Sequence, residues 1–217
     1  AAVARSVLHD SAPRVMAVLA PVSLVLSNWS EVTGLAASEA KVISVPNFPF
    51  DASRGSHTVP FTSTVYIDRS DVRLVDSEDF YGFAPNKTVA LKYTGYRVHV
   101  DSIETDSNGS VVSITASLLR EDDHPEWKAK TTVQWVSVSH AVSVEVRLYN
   151  HLFVTEEPND DTWEQELNPN SEIVIKRAMV DPSIWNTLYP ESSDVTLASR
   201  DTDKLRHVQF ERIGFFV

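Results

Sequence analysis

Hydrophobic residues in this chain come in short bursts separated by polar ones, and strand signals prevail over helical ones. Val22-Ser-Leu-Val-Leu26 is apolar and partly β-branched, and Val65-Tyr-Ile67 sits within a longer extended run. Val89-Ala-Leu-Lys-Tyr93, Tyr96-Arg-Val-His-Val100 and Val111-Val-Ser-Ile-Thr115 alternate with the period of two that turns one face of a strand to a core. Asn108-Gly109 lies between the last two and predicts a two-residue hairpin turn, because both residue types tolerate positive φ. Extended segments are also predicted over 131–138, 142–148, 173–177 and 207–216. Helical signals are short: residues 1–9, stopped by Pro13; residues 160–167, stopped by Asn168-Pro-Asn170; and residues 182–188, with Pro182 at the first helical position. Many short strands between turn signals predict an all-β barrel or sandwich. The charged stretch Glu121-Asp-Asp-His-Pro-Glu126 marks a seam, and no internal repeat is visible.

Composition narrows this picture. The 217 residues suffice for one large domain or two small ones, and 42% hydrophobic residues suit a packed core. No apolar run approaches the roughly 18 residues that span a bilayer, so no membrane partner is expected. Ala1-Ala-Val-Ala-Arg5 lacks the basic start and apolar core of a signal peptide and reads as a chain cut from a longer protein. The absence of cysteine excludes disulfides and thiolate metal sites, and is compatible with an intracellular compartment. Sequons at Asn28, Asn86 and Asn108 are read as chance matches.

The net charge of −11 counts against nucleic-acid binding in general. The acidity is uneven, however: residues 156–166 hold six carboxylates and no base, whereas residues 200–212 hold four Lys/Arg against three acids. A basic face is therefore permitted. Catalytic signatures are missing, with no Gly-rich phosphate loop before a helix, no Gly-x-Ser-x-Gly elbow and no His-Glu-x-x-His pair. None of the histidines, at 9, 57, 99, 124, 140, 151 and 207, has a partner at zinc-ligand spacing. Asp122-Asp123 and Asp160-Asp161 read as solvated turns, and Trp135 reads as core. The residues alone describe a soluble β-rich domain or pair of domains.

A longer pattern adds to this. Gln134-Trp-Val-Ser, His140-Ala-Val, Glu145-Val-Arg-Leu-Tyr149 and Leu152-Phe153 together resemble a block of the glutaminyl-tRNA synthetases. Other pieces follow in that family's order. They are Ala12-Pro-Arg14 with Met16-Ala-Val-Leu19, Val45-Pro-Asn47, Val59-Pro-Phe61, Tyr66-Ile-Asp-Arg69, Tyr81-Gly-Phe-Ala-Pro85, Leu167-Asn-Pro-Asn-Ser171 and Gln209-Phe-Glu-Arg212-Ile-Gly-Phe-Phe216. The resemblance runs from residue 12 to 217 and points to the anticodon-binding C-terminal half. The glutamyl relatives share the fold and the closing motif but lack the block at Arg147 to Tyr149, which favours the glutaminyl assignment.

The resemblance implies two consecutive β-barrels of a ribosomal-protein type with short helices. Residues 1–12 would end a linking helical segment. Residues 13–120 would form the first barrel and 127–217 the second, with strand exchange between them allowed. Splayed anticodon bases would sit near the junction, addressed by Arg, Lys and Gln side chains. Gln209 matches the glutamine that reads the middle base, with Arg212 beside it. Lys92 stands where the family has an arginine reading the third base, and lacks that residue's planar fork. Lys87 matches a supporting lysine. The arginine before Val-Pro-Phe is replaced by His57, with Arg54 close by as a substitute. Arg97 lies in the strand where the first base would be read.

The resemblance further implies tRNA-Gln as partner, the catalytic half of the same chain as neighbour, a cytoplasmic monomer, and ATP and Mg only in that catalytic half, with no cofactor in this part. The alternatives are the corresponding half of a glutamyl-tRNA synthetase, a β-sandwich interaction or carbohydrate-binding module, and a structural appendage that binds no RNA.

Overall fold

The computed structural model describes residues 2–120, 122–188 and 207–217. Its largest element is a seven-stranded sheet in the spatial order Thr132–Val133, Thr88–Leu91, Arg97–Thr105, Val111–Leu119, Pro21–Leu26, Thr64–Asp68, Val136–Ser137. The first and last of these are two ends of one segment, separated by Gln134 and Trp135 alone. The sheet therefore curls until a single stretch of chain pairs with Ala90 and Leu91 at one edge and with Tyr66 and Val65 at the other.

Alternation fills the inside of the curl with Val22, Leu24, Leu26, Val65, Ile67, Val98, Val100, Ile114, Ala116 and Leu118, all buried. A hairpin of Lys41–Pro46 and Ser56–Phe61 adds Ile43, Val45, Val59 and Phe61. The Phe61 ring lies 4.8 Å from that of Trp135 and 5.2 Å from that of Trp29. Each large apolar side chain so buried contributes about 1.5–3 kcal/mol of transfer free energy.

A second core gathers Val15, Ala17, Val146, Ala178, Val180, Ile184, Val208 and Phe210. It is built by the hairpin Val142–Tyr149/Glu172–Val180 and by the closing hairpin Val208–Phe210/Gly214–Phe216. Residues 14–18 link both: Arg14 and Val15 run parallel to Gln209 and Phe210, and Ala17 and Val18 pair antiparallel with Val180 and Met179. Val15 and Ala17 face this second core, while Met16 and Val18 face the first. All four are fully buried, so this short stretch is a wall common to both cores. Each core thus contains residues from both halves of the chain. At its far end the 142–180 hairpin leaves Tyr149, Leu152, Val154, Trp163 and Ile173 exposed.

The molecule is mostly β, with a strongly curled half-barrel sheet and few helices, Ala2–Ser11, Trp29–Thr33 and Ile184–Leu188. Local geometry departs from the sequence expectations in several places. The turn at Asn108-Gly109 is not a two-residue one. Asp106 N–H donates to Ser110 O at 2.9 Å and Gly109 N–H to Asp106 O at 3.0 Å, and within the loop positive φ occurs at Gly109 alone. The result is a three-residue loop with glycine in the bulge position, fixed by the Asp106 carboxylate accepting from Asn108 and Ser110 N–H.

Residues 160–167 form one 3-10 turn at Trp163–Glu166 instead of two helical turns. There Glu166 accepts from Thr155, from Asn159 N–H at 3.1 Å and from Thr162, a local competition with helical bonding. The third helix starts at Ile184, two residues past Pro182, because the Asp181 side chain holds Ser183 N–H at 2.8 Å. The run 207–216 is a hairpin, 131–138 is broken at Gln134-Trp135, and 89–93 ends as a strand at Leu91.

Candidate nucleic-acid interface

Several elements meet where the two cores adjoin. The first is the turn after Thr88–Leu91. Thr94 hydroxyl donates to Leu91 O at 2.8 Å, Tyr96 N–H donates to the Thr94 hydroxyl at 3.0 Å, and Tyr93 and Gly95 take φ of 64° and 73°. The 132–137 segment clamps the backbone of Lys92: its N–H donates to Val133 O at 3.0 Å, and its carbonyl accepts from the Trp135 indole at 2.9 Å. The same curl that completes the sheet thus fixes where Lys92 starts.

Glu211, in the turn of the closing hairpin, is 3% exposed. Its carboxylate pairs with the Lys92 ammonium and accepts from the Tyr93 hydroxyl at 2.8 Å. Burial, and then the adjacent carboxylate, push the Tyr93 hydroxyl well above its ordinary pKa. Two residues earlier, the Gln209 carboxamide oxygen accepts from Arg14 Nε at 2.9 Å. Arg14 itself acts electrostatically on Tyr93. Side chains from both halves of the chain thus form two polar clusters at this junction, Arg14 with Gln209 and Glu211 with Tyr93 and Lys92.

Arg212 occupies the same turn with φ of 61°, and Ile213 N–H closes it onto Phe210 O at 3.0 Å. A bulky residue in the left-handed region is uncommon and carries strain. Its guanidinium reaches Asp71 at 3.3 Å. Burial raises the Asp71 pKa, and Arg212 partly offsets that rise. Asp71 is set by Gly82, where any Cβ would stand 2.3 Å from Asp71 O. The absence of a side chain lets Phe83 N–H bond that oxygen at 2.7 Å.

His57 enters from the 41–61 hairpin. One ring nitrogen meets Asn47 Oδ1 at 2.7 Å; the other faces buried Asp181 at 4.0 Å and has no hydrogen-bond partner among the described residues. Burial pushes the His57 pKa down against the pull of Asp181 and Glu211. Arg54 lies nearby over the Phe48 ring, 3.2 Å from its centroid, and donates to Asp10 O. Beside it, His9, Asp10, Arg14, Phe48, Phe50, Asp51 and Arg54 line a cleft of about 280 Å³. Phe50 is 84% exposed, with the Arg14 guanidinium 5.2 Å from its ring centre. Cationic planes around an open aromatic face are the chemistry on which an unpaired base stacks.

Of the residues singled out from sequence, Lys92, Gln209, Arg212, His57 and Arg54 border this junction. Lys87 and Arg97 point elsewhere. Lys87 pairs with Asp76 at 2.6 Å and donates to Phe80 O. Arg97 donates to the carbonyls of Arg120, Asp123 and Trp127, closing that loop. Lys204 and Arg206 lie outside the described residues. Arg14, Tyr93, Glu211 and Phe50 join the site only in the structure; in the sequence Arg14 and Glu211 stand within the motifs Ala12-Pro-Arg14 and Gln209-Phe-Glu-Arg212, and Tyr93 and Phe50 carry no signal of their own. Among the described residues no cluster of three or more His, Asp or Glu is arranged to hold a metal ion, and no helix is long and apolar enough to cross a membrane.

Comparison with known proteins agrees with this geometry. Residues 12–119 and 132–217 match two family descriptions that both read "tRNA synthetases class I (E and Q), anti-codon binding domain". A probable glutamine–tRNA ligase of Dictyostelium discoideum is 34% identical over 216 residues, 98% of this chain and 24% of that protein. Glutamine–tRNA ligases of Bos taurus and Escherichia coli O157:H7 are 35% and 32% identical over 217 residues, covering 25% and 35% of their lengths. The chain thus spans between a quarter and about a third of these relatives. With residues 12–119 and 132–217 both matched, the chain belongs to the anticodon-binding domains of the class I tRNA synthetases for glutamate and glutamine.

Proposed function

We propose that this chain reads the unstacked anticodon bases of tRNA-Gln on behalf of a cytoplasmic, monomeric glutamine–tRNA ligase. The parent would attach glutamine using ATP and Mg, both held in its catalytic half. The two cores correspond to two barrels, residues 13–120 and 127–217, that exchange the strands at 14–18 and 132–137. Gln209 addresses the middle base with Arg212 and Arg14 beside it. Lys92 addresses the third base, and His57 and Arg54 border the middle-base pocket. Lys87 and Arg97 brace loops away from that pocket, at 76–80 and 120–127. The observation that carries the reading is that Gln209, held by Arg14, and Lys92, held by Glu211, both stand at the junction of the two cores, in a chain whose relatives are named glutamine–tRNA ligases.

A glutamine amide both donates and accepts, as the edge of a uracil requires. A good base contact discriminates by about 1–3 kcal/mol, or roughly tenfold and more. The test is equilibrium binding of tRNA-Gln, tRNA-Glu and an unrelated tRNA at several salt concentrations. The chain should prefer tRNA-Gln, and Gln209→Ala should weaken that complex about tenfold while sparing the unrelated one. Equal losses for all three RNAs would remove the base-reading role, and preference for tRNA-Glu would move the assignment to the glutamyl enzyme.

A further inference from the structure

A second cleft, of about 220 Å³, lies away from the junction, lined by Tyr81, Asn86, Lys87, Thr88, Glu126, Trp127, Lys128 and Lys130. It borders the start of the Thr88–Leu91 strand, four residues before Lys92. At about 3.3 Å per residue that places it about 13 Å from the start of the Lys92 side chain. Three lysines meet here in a chain of net charge −11.

Three acidic groups stand near and each is engaged, Asp79 accepting from the Ser77 hydroxyl at 2.7 Å. Glu126 accepts from His124 at 3.1 Å, and Asp76 pairs with Lys87 at 2.6 Å. Lys128 and Lys130 are exposed, and neither forms an ion pair among the described residues. The Lys130 ammonium lies 5.6 Å from the centre of the Tyr81 ring, which is 46% exposed. The Trp127 indole is held by two imidazoles, His99 at 4.0 Å and His124 at 4.1 Å, both within 14° of parallel. His99 is fixed in turn by the Thr88 hydroxyl at 2.9 Å.

We infer that this cleft is a second RNA subsite, which takes one single-stranded nucleotide of the same RNA with its base on Tyr81 and its phosphate between Lys128 and Lys130. The shape argues for a nucleotide over a bare anion. Ammonium groups on flexible four-carbon stems serve as point charges for phosphate. The half-exposed Tyr81 ring accepts a base of any identity once the Lys130 ammonium turns from it to a phosphate, since every base has a π face. The Trp127 stack holds the 124–130 loop against the sheet, so the lysines are positioned before the RNA arrives. This inference rests on the proposed RNA-binding role, and its contacts share no head group with Gln209, Arg14, Glu211 or Lys92.

The test measures affinity of the whole chain for the anticodon stem–loop of tRNA-Gln, for oligouridine and for inorganic phosphate. The proteins compared are wild type, Lys128→Ala/Lys130→Ala, Tyr81→Leu and Gln209→Ala, with folding of each checked by thermal melting. The double lysine variant should bind both RNAs about tenfold more weakly at low salt and lower the slope of log K against log salt by about 2. Tyr81→Leu should weaken both RNAs about tenfold with the slope unchanged. Inert lysine and tyrosine variants beside a defective Gln209→Ala overturn the subsite alone. Defective lysine and tyrosine variants beside an inert Gln209→Ala overturn the anticodon reading and leave the subsite standing. Saturation by phosphate with no effect of Tyr81 overturns the nucleotide assignment, and absence of RNA binding by the wild-type chain overturns both.

Discussion

Glu211 and Lys92 make unequal demands on each other, and that asymmetry is measurable. Glu211 is 3% exposed, whereas the Lys92 side chain is 26% exposed. Lys92→Met leaves a carboxylate in the interior with the Tyr93 hydroxyl as its remaining side-chain donor. Stranding one member of a buried pair costs 3–5 kcal/mol, and partial exposure of the lysine puts this case at about 3 kcal/mol. For a chain of this size that is a fall in Tm of about 6–12 °C. Glu211→Gln keeps an acceptor for Tyr93 and frees an ammonium that swings into water, at a cost of about 1 kcal/mol.

The double variant removes the stranded charge, so it should be more stable than the sum of the singles predicts by about 1–2 kcal/mol. RNA binding should move the other way for one of the singles. Glu211→Gln removes a negative charge from the interface and releases Lys92. Unit charges about 7 Å apart in water interact by about 0.6 kcal/mol, so affinity for the anticodon stem–loop should rise about threefold at low salt and the gain should vanish at high salt. Lys92→Met should lose affinity. Urea denaturation and filter binding on the four proteins decide the matter. Equal costs for the two singles, an additive double variant, or weaker RNA binding by Glu211→Gln would each refute the reasoning.

Two further perturbations probe the same junction. Because burial holds His57 below its ordinary pKa, the unfolded chain binds a proton that the native one does not as pH falls below 6.5. That linkage makes stability fall on acidification. His57→Gln should flatten this part of a Tm-against-pH profile, while Asp181, raised by burial, tilts the profile the opposite way above 3.8; superimposable profiles for wild type and variant would exclude a linked role for His57. At Arg212, whose φ is 61°, glycine should be more stable than alanine by about 1–2 kcal/mol, since both lose the Asp71 contact and they differ only in backbone strain; calorimetry showing alanine equal to glycine would mean the turn relaxes.

The curled sheet was legible because its strands alternate: Val98 and Val100 face in while Arg97 and His99 face out, and Ile114, Ala116 and Leu118 do the same. Val15-Met-Ala-Val18 was not, since a stretch buried on both faces has no period to read. Lys41–Pro46 was also missed, as its adjacent Val42 and Ile43 break the alternation and Val42 turns out exposed. At the site, the family motif picked out Gln209, Arg212 and Lys92 but not what they hold. A hydrogen bond from Arg14 to Gln209 spans 195 residues, and the Tyr93 bond to Glu211 spans 118. Separations of that kind leave no trace in local pattern, and only the paired strands reveal them.

The partners at the junction also bear on how so acidic a chain can recognise RNA. Free lysines and arginines in a groove attract any phosphate backbone, and such binding scales with the number of charges rather than with sequence. Here Lys92 is held by Glu211, Arg212 reaches Asp71 and Gln209 is held by Arg14. An incoming base must therefore offer each of these groups something better than its internal partner. A wrong base leaves a buried donor or acceptor unmatched, at a cost of about 1–3 kcal/mol. Internal pairing thereby lowers affinity for every RNA and lowers it most for those that fit poorly. On the proposed function, the charge of −11 is a source of discrimination: it suppresses nonspecific adsorption, and it leaves a small set of exchangeable contacts to decide which RNA stays bound.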